Sequence, residues 1–237
     1  MSNDVEVRFL QDTKNHELVY LKEDGVHRNM RLRNPKTSEY WFDLITWPGV
    51  LCINGDCGTY VFSRTHDMFE FFSSGISKSG KRSINSRYWS EKVLSEDQGG
   101  GIKKYSEDKF KALVKELYDD WCAEGIEEAE ELRKEYAEEA PPAHEATKLA
   151  HDAEERYSLW KALEEEVMSD TQFEHECRVL ADRFSHPSGF SFHDFWEYDL
   201  TEYTHRFQWC LHAILLGIQM YQKATFVGPL QEQPCQS

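Results

Sequence analysis

Between His16 and Trp47 apolar residues alternate with polar ones, and the spacing turns helical only beyond Ser106. Alternation gathers apolar side chains on one face of a strand, whereas three-to-four spacing gathers them on one stripe of a helix. Two alternating runs fill His16 to Arg33 and are joined at Glu23-Asp24-Gly25, a hairpin signal. Leu18, Tyr20, Val26, Met30 and Leu32 supply the apolar positions, and Asn34-Pro35 closes the unit. A further strand is predicted over Tyr40 to Trp47, with a turn at Pro48-Gly49, and a second hairpin pairs Val50–Asn54 with Thr59–Arg64. The product is an antiparallel meander of four or five strands. Thr65 or Asp67 caps a short helix over Met68 to Phe72, whose aromatic residues suit the open face of that sheet. Ser73 to Ser83 reads as a mobile loop and Ser86 to Leu94 as a second short helix. Glu96 to Lys104, with three successive glycines, reads as a flexible boundary.

Ser106 is a good N-cap followed by acids in the first helical turn. Phe110, Leu113, Val114, Leu117 and Trp121 then form one apolar stripe, which thins past Gly125 to Ile126, Ala129, Leu132 and Tyr136 before Pro141-Pro142 ends the run. His144 to Met168 predicts a second helix carrying Leu149, Tyr157, Trp160, Leu163 and Val167. The pair is expected as an antiparallel hairpin whose far end is charged and projects into solvent. Phe173 to Phe184 reads as helix, broken at Pro187-Ser188-Gly189. Ser191 to Ala224 ends in the most hydrophobic helix, with Trp209, Leu211, Ile214, Leu215 and Ile218 at the centre of the core. The expected fold class is therefore α+β. A β-rich base covers residues 1–98, an acidic helical hairpin 106–170, helices packing on the base 171–224, and a loose tail 225–237.

With 237 residues, 40% of them hydrophobic and 14% aromatic, the chain buries a sizeable core and is not disordered. No charged-then-apolar leader opens it, and Leu211 to Ile218 is too short to span a bilayer, so a soluble intracellular protein without membrane contact is expected. Cysteines at 52, 57, 122, 177, 210 and 235 show no CxxC spacing, which fits free thiols in a reducing compartment. In WPGVLCINGDCGTYVFSR (Trp47 to Arg64), Cys52 and Cys57 flank Asn54-Gly55-Asp56, and Gly55 and Gly58 give the freedom a tight hairpin needs. Zinc would require two more ligands, and His66, the nearest histidine, lies past the next strand; the stretch reads as a turn.

His175, His186, His193-Asp194, His205 and His212, with Cys177 and Cys210, gather in the C-terminal part. His205 and His212 are not at the i,i+4 spacing of a helical metal pair, so core or interface positions are expected, with no metal and no cofactor. There is no GxSxG, HExxH, Walker loop or GxGxxG, and GGGIKK (Gly99 to Lys104) lacks the spacing of a phosphate loop. Lys78, Lys81, Arg82 and Arg87, then Lys103 and Lys104, cluster near Tyr88 and Trp89 in a pattern suited to a phosphate backbone. The net charge of −16 opposes nonspecific nucleic-acid binding, and direct binding is not expected.

That charge is localised. Met1 to Tyr105 holds 15 Lys/Arg and 14 Asp/Glu, whereas Glu116 to Asp170 holds 5 and 19. Such a run can simply solubilise a helix. Regularly spaced carboxylates on a projecting helix can also act as a DNA mimic, because the Lys/Arg groups of a basic partner attract either kind of anion. The partner-binding candidates are Glu124, Glu127, Glu128, Glu130, Glu131, Glu135, Glu138 and Glu139. Trp41, Trp47 and Tyr60 form a second interface candidate, the alternative for each being a place in the core.

The run SEYWFDLITWPGVLCINGDCGTYVFSRTHDMFEFF (Ser38 to Phe72) resembles a family of proteins encoded by tailed phages and prophages, which carries YWFDLxTWPGxLxIxGDxGTYVFSRxxDMFEFF. INSRYWSEKV (Ile84 to Val93) and FWEYDLTEYTHRFQWCLHAI (Phe195 to Ile214) are similar to it as well, so the resemblance covers both ends of the chain and not the acidic middle. Cys57 falls at a variable position, which argues against a cysteine-based site. The resemblance implies no catalytic residues. It implies a phage protein in the cytoplasm of the infected bacterium, a setting in which small acidic proteins inhibit host defence by protein–protein interaction. The expected function is that of a non-enzymatic anti-defence inhibitor of an immune nuclease or nucleic-acid-sensing complex, Gabija-type or CRISPR effector. Two alternatives stand beside it: a small metal-dependent enzyme using the C-terminal His, Asp and Cys residues, and a homo-oligomeric phage accessory protein without a host target.

Overall fold

The alternating residues build one antiparallel sheet in plain sequence order, β1 (Glu17–Asp24), β2 (His27–Arg33), β3 (Phe42–Trp47), β4 (Val50–Gly55), β5 (Gly58–Ser63) and β6 (Val93–Ser95). The computed structural model from which this follows describes residues 2–135 and 153–227, and the fold is α+β. Six strands replace the four or five expected. The sixth comes from the end of the predicted helix Ser86 to Leu94. Helix α3 (Ser86–Ser90) starts under the Asn85 side chain, which accepts from the Tyr88 N–H, and stops after one turn. Val93 then pairs with Phe62, and the Ser63 N–H donates to the Lys92 carbonyl, so the edge of β5 finds partners it would otherwise lack.

The inner sheet face carries Met30, Leu32, Phe42, Leu44, Leu51, Ile53, Tyr60 and Phe62, each at most 1% exposed. Against it lie α2 (Met68–Ser73), capped by Asp67, and the long C-terminal helix His205–Val227. The segment before His16, for which the hydrophobic pattern predicts no element, forms α1 (Ser2–Thr13). Its Phe9 packs edge-on against Trp209 with centroids 5.1 Å apart. Residues Trp209 to Leu215 of the C-terminal helix are consequently all buried, sheet on one side and α1 on the other. Ser73 to Ser83 is not the loose loop expected: Ile76 and Arg82 form an antiparallel bridge, and Ser83 N–H donates to the Gly75 carbonyl.

The chain forms two compact units, Met1–Lys104 with Tyr203–Ser237, and Tyr105–Glu202. Strands β7 (Lys103–Tyr105) and β8 (Thr201–Tyr203) pair with each other where the chain passes from one unit to the other and back. The second unit contains α4 (Glu107–Glu135), α5 (Ala153–Ala162) continuing into a π-turn over Leu163–Val167, α6 (Glu174–Arg183) and a 3-10 turn at Phe195–Glu197. The last helix, His205–Val227, is α7. Phe110 and Val114 of α4 pack with Leu159, Leu163 and Val167, and the Tyr118 ring lies tilted against Trp160, centroids 4.9 Å apart, while its hydroxyl donates to the Arg156 carbonyl. The two helices expected as a hairpin thus pack on each other. Its predicted tip, Tyr136 to Leu149 with Pro141-Pro142, lies outside the described residues, as does the tail beyond Val227.

One expected grouping is redrawn. Residues 171–224 do not all join the base: α6 and the aromatic run after it belong to the helical unit, and only α7 returns to the sheet. The rings explain the division, since Phe195 packs on Phe110 at 5.9 Å and Phe190 on Trp121 at 6.0 Å. Among the described residues no helix is long and apolar enough to cross a membrane.

Candidate interaction surfaces

The cysteine-bearing hairpin is a structural turn. Gly55 faces Gly58 at the end of the β4–β5 ladder, with Asp56-Cys57 between them, and Gly58 takes a φ of 111° that suits glycine. Cys52 pairs with Val61 on the outer face, whereas Cys57 lies against the core, its carbonyl 3.6 Å from the Cys210 thiol. The two side chains do not meet as a site, and all five described cysteines are free. Burial, reinforced by Asp56, pushes the Cys57 thiol up to about 12, and burial with Asp43 raises Cys52. Thiols held protonated in this way are neither nucleophiles nor ready metal ligands.

Strand parity separates the three aromatic candidates. Trp47 is 41% exposed, and with Ile45 it lines an outer-face depression of about 330 Å³ whose other wall carries Lys22, His27 and Asn29. Trp41 is half-buried beneath the Arg31 guanidinium, 4.7 Å away, which also makes a bidentate pair with Asp43. Tyr60 is not at a surface. It is 0% exposed, packs 5.3 Å from Phe207 and donates to the Gly101 carbonyl, so it belongs to the core.

The acidic candidates fall on α4. Glu124, Glu127, Glu130 and Glu131 are exposed, and none has an ion-pair partner among the described residues. At 100° per residue, positions 124, 127, 128, 131 and 135 share a face about 100° wide, and position 130 sits to its side. Glu138 and Glu139 lie outside the described residues. The unit that bears this face holds 10 Lys/Arg against 28 Asp/Glu, whereas the sheet unit holds 17 against 15.

The C-terminal histidines are scattered. His212 is buried and stacked on Phe9 at 5.3 Å, and the His186 Nδ1 lies 2.8 Å from the Ser188 hydroxyl. Cys177 contacts the Tyr105 hydroxyl at 3.1 Å. His175, Asp182 and Asp194 line one depression of about 430 Å³ beside Trp196. Arg178 shapes its wall by pairing with Glu174 and donating to the carbonyls of Phe195, Trp196 and Tyr198. Among the described residues no three His, Cys, Asp or Glu side chains come together as a metal site. The sequence reading missed the groove between the Ser73–Ser83 loop and α7, although its basic cluster was the visible signal. In comparison with known proteins, no family model, no curated protein and no solved structure matches the chain.

Proposed function

We propose that the protein is a phage-encoded anti-defence inhibitor that works by binding. In this reading the acidic face of α4 engages a basic, nucleic-acid-handling surface of a host immune nuclease or sensing complex, Gabija-type or CRISPR effector. The supporting observation is the density of acidic positions on that face. Its five acidic positions, 124 to 135, span about 16 Å of helix axis, a mean step of about 4 Å. Duplex DNA is likewise a dense line of negative charge, so cations arrayed for phosphates are attracted to such a face as well. A single exposed ion pair contributes less than about 1 kcal/mol, so the array and the field of a strongly acidic unit must carry recognition.

The test is purification of the tagged chain from bacteria carrying a panel of defence systems. The expected result is a stoichiometric nuclease or sensing complex, lost when Glu124, Glu127 and Glu131 are all changed to Lys while the fold is retained. A triple variant that keeps the partner rejects the acidic-face mechanism. A chain that co-purifies with nothing across the panel removes the inhibitor reading for those systems. A second reading, the metal-dependent enzyme, has only the depression lined by His175, Asp182 and Asp194 beside Trp196, where the three side chains do not gather as a metal cluster. Stoichiometric zinc in the purified protein would favour it.

A further inference from the structure

We infer that the groove between the 76–82 loop and α7 is a binding site for a phosphate group. Ser77, Lys78 and Gly80 form one wall and Gln219, Gln222 and Lys223 the other, around a volume of about 410 Å³, within the range of small-ligand sites. Ile76 completes the lining, and among the described residues no carboxylate belongs to it. In a chain with 43 Asp/Glu this is a marked segregation: the loop comes from residues 71–90 and the helix from 203–231, the two longest stretches without an acid. Lys78 and Lys223 are exposed on opposite walls, and neither has an ion-pair partner among the described residues.

The loop wall is built. Ser77 N–H donates to the Lys81 carbonyl, Lys81 N–H to the Ser77 hydroxyl at 3.0 Å, and Gly80 N–H to the Ser77 carbonyl, with Gly80 at a φ of 81°. Gln219 fixes it to the helix by donating to the Gly80 carbonyl at 2.7 Å, and Gln222 lines the same groove. At the base of the loop Arg82 lies over the Phe9 ring, 5.4 Å away, and its buried Nη1 has no partner among the described residues. Arg82 feels the Glu6 carboxylate, so the uncompensated positive charge of the groove is that of Lys78 and Lys223. Two ammonium groups on facing walls suit an anion whose acceptor oxygens are splayed tetrahedrally toward both of them, as the non-bridging oxygens of a phosphate are, better than the two coplanar oxygens of a carboxylate. The ligand is a phosphate in solution or on a small molecule, or a phosphodiester of a nucleic-acid strand. This site lies in the sheet unit and does not depend on the acidic-face reading.

The test follows amide resonances of the full-length protein during titration with inorganic phosphate, with a short oligothymidylate and with polyglutamate, at low salt. Phosphate is expected to shift amides confined to Ser77–Lys81 and Gln219–Lys223. The variant Lys78→Ala with Lys223→Ala is expected to weaken binding about ten-fold or more, its other resonances unchanged. If the oligonucleotide moves the same amides at lower concentration than phosphate, the phosphate source is a nucleic-acid backbone. If phosphate alone moves them, it is a free or small-molecule phosphate. The proposal is overturned if neither probe moves these amides, if the double variant binds like the parent, or if polyglutamate binds as tightly as the phosphate probes.

Discussion

A side chain at Gly55 has nowhere to go. A Cβ built there would run into the Trp41 carbonyl oxygen and lie 2.8 Å from the Phe42 Cα, and both obstacles are backbone. Gly55→Ala is therefore expected to force β3 and β4 apart and cost about 1–3 kcal/mol in urea denaturation; a neutral result would mean that the hairpin end relaxes freely. His212 is the second residue with a readable consequence. Burial, helped by Arg82, holds its pKa down to about 4, and its Nδ1 has no partner among the described residues. An unfolded histidine takes up a proton near 6.5, so between 6.5 and about 4 the unfolded chain binds more protons than the folded one. Stability must fall as pH drops through that window. His205, held down by burial and Arg8, adds to the fall, whereas the depressed Asp67 carboxyl acts only below the ordinary 3.8. His212→Gln should flatten the decline of the urea midpoint between pH 6.5 and 4; an unchanged slope would place the titration elsewhere.

At the scale of elements, one ion pair ties three of them together. Arg28 of β2 makes a bidentate bond to Asp67 at 3.0 and 2.7 Å, and Asp67 also caps α2 by accepting from the Phe69 N–H. The guanidinium lies 4.6 Å from the Phe69 ring and 5.2 Å from that of Tyr221 on α7. Burial opposes both charges, but their mutual pairing, joined by Tyr221 on the arginine and by the Phe69 and Glu70 N–H groups on the carboxylate, outweighs it, raising the Arg28 pKa and lowering that of Asp67. Removing one partner of a pair with side-chain exposures of 9% and 18% strands the other, so Arg28→Ala is expected to cost about 3–5 kcal/mol. Arg28→Met with Asp67→Leu should recover part of it, and if the double variant is no better than the single one, packing rather than charge carries the link. β2, β3 and β5 were legible because their burial alternates locally along the strand. In β1 a bulge between Leu18 and Tyr20 leaves Tyr20 exposed, against expectation, and packs Leu21 on the core. β6 was not legible, since three residues become a strand only because β5 leaves an edge open. Nor was α1, whose one fully buried large side chain, Phe9, finds its partners Trp209 and His212 two hundred residues away. The assignment of α6 to the helical unit was equally hidden, because it depends on which rings Phe190 and Phe195 meet.

For the whole molecule, charge is distributed by unit, and what the sequence could reveal about surfaces follows from that. The acidic face was visible as a run of glutamates, since helical neighbours in space are neighbours in sequence. The basic groove was only half visible, because Gly80 and Gln219, which close it, are 139 residues apart. Trp47 and Tyr60 looked alike until strand register sent one outward and the other into the core. With 10 Lys/Arg against 28 Asp/Glu, the helical unit repels itself, whereas the sheet unit, with 17 against 15, is nearly balanced. Salt screens such repulsion, the Debye length falling from about 30 Å at 0.01 M to about 3 Å at 1 M. Raising potassium chloride should therefore slow amide exchange at Leu159 and Leu163 of the helical unit more than at Leu51 and Ile53 of the sheet; equal slowing would reduce the effect to general salting. On α4 the same charges act on fold and on function in opposite directions. Changing Glu124, Glu127 and Glu131 to Lys takes the unit from −18 to −12, so the variant should exchange more slowly than the parent at low salt and lose part of the salt response. Under the proposed function this more stable variant fails to hold the partner, so the carboxylates are maintained at the expense of the fold. A variant that gains stability and still holds the partner would leave the acidic face without a binding role.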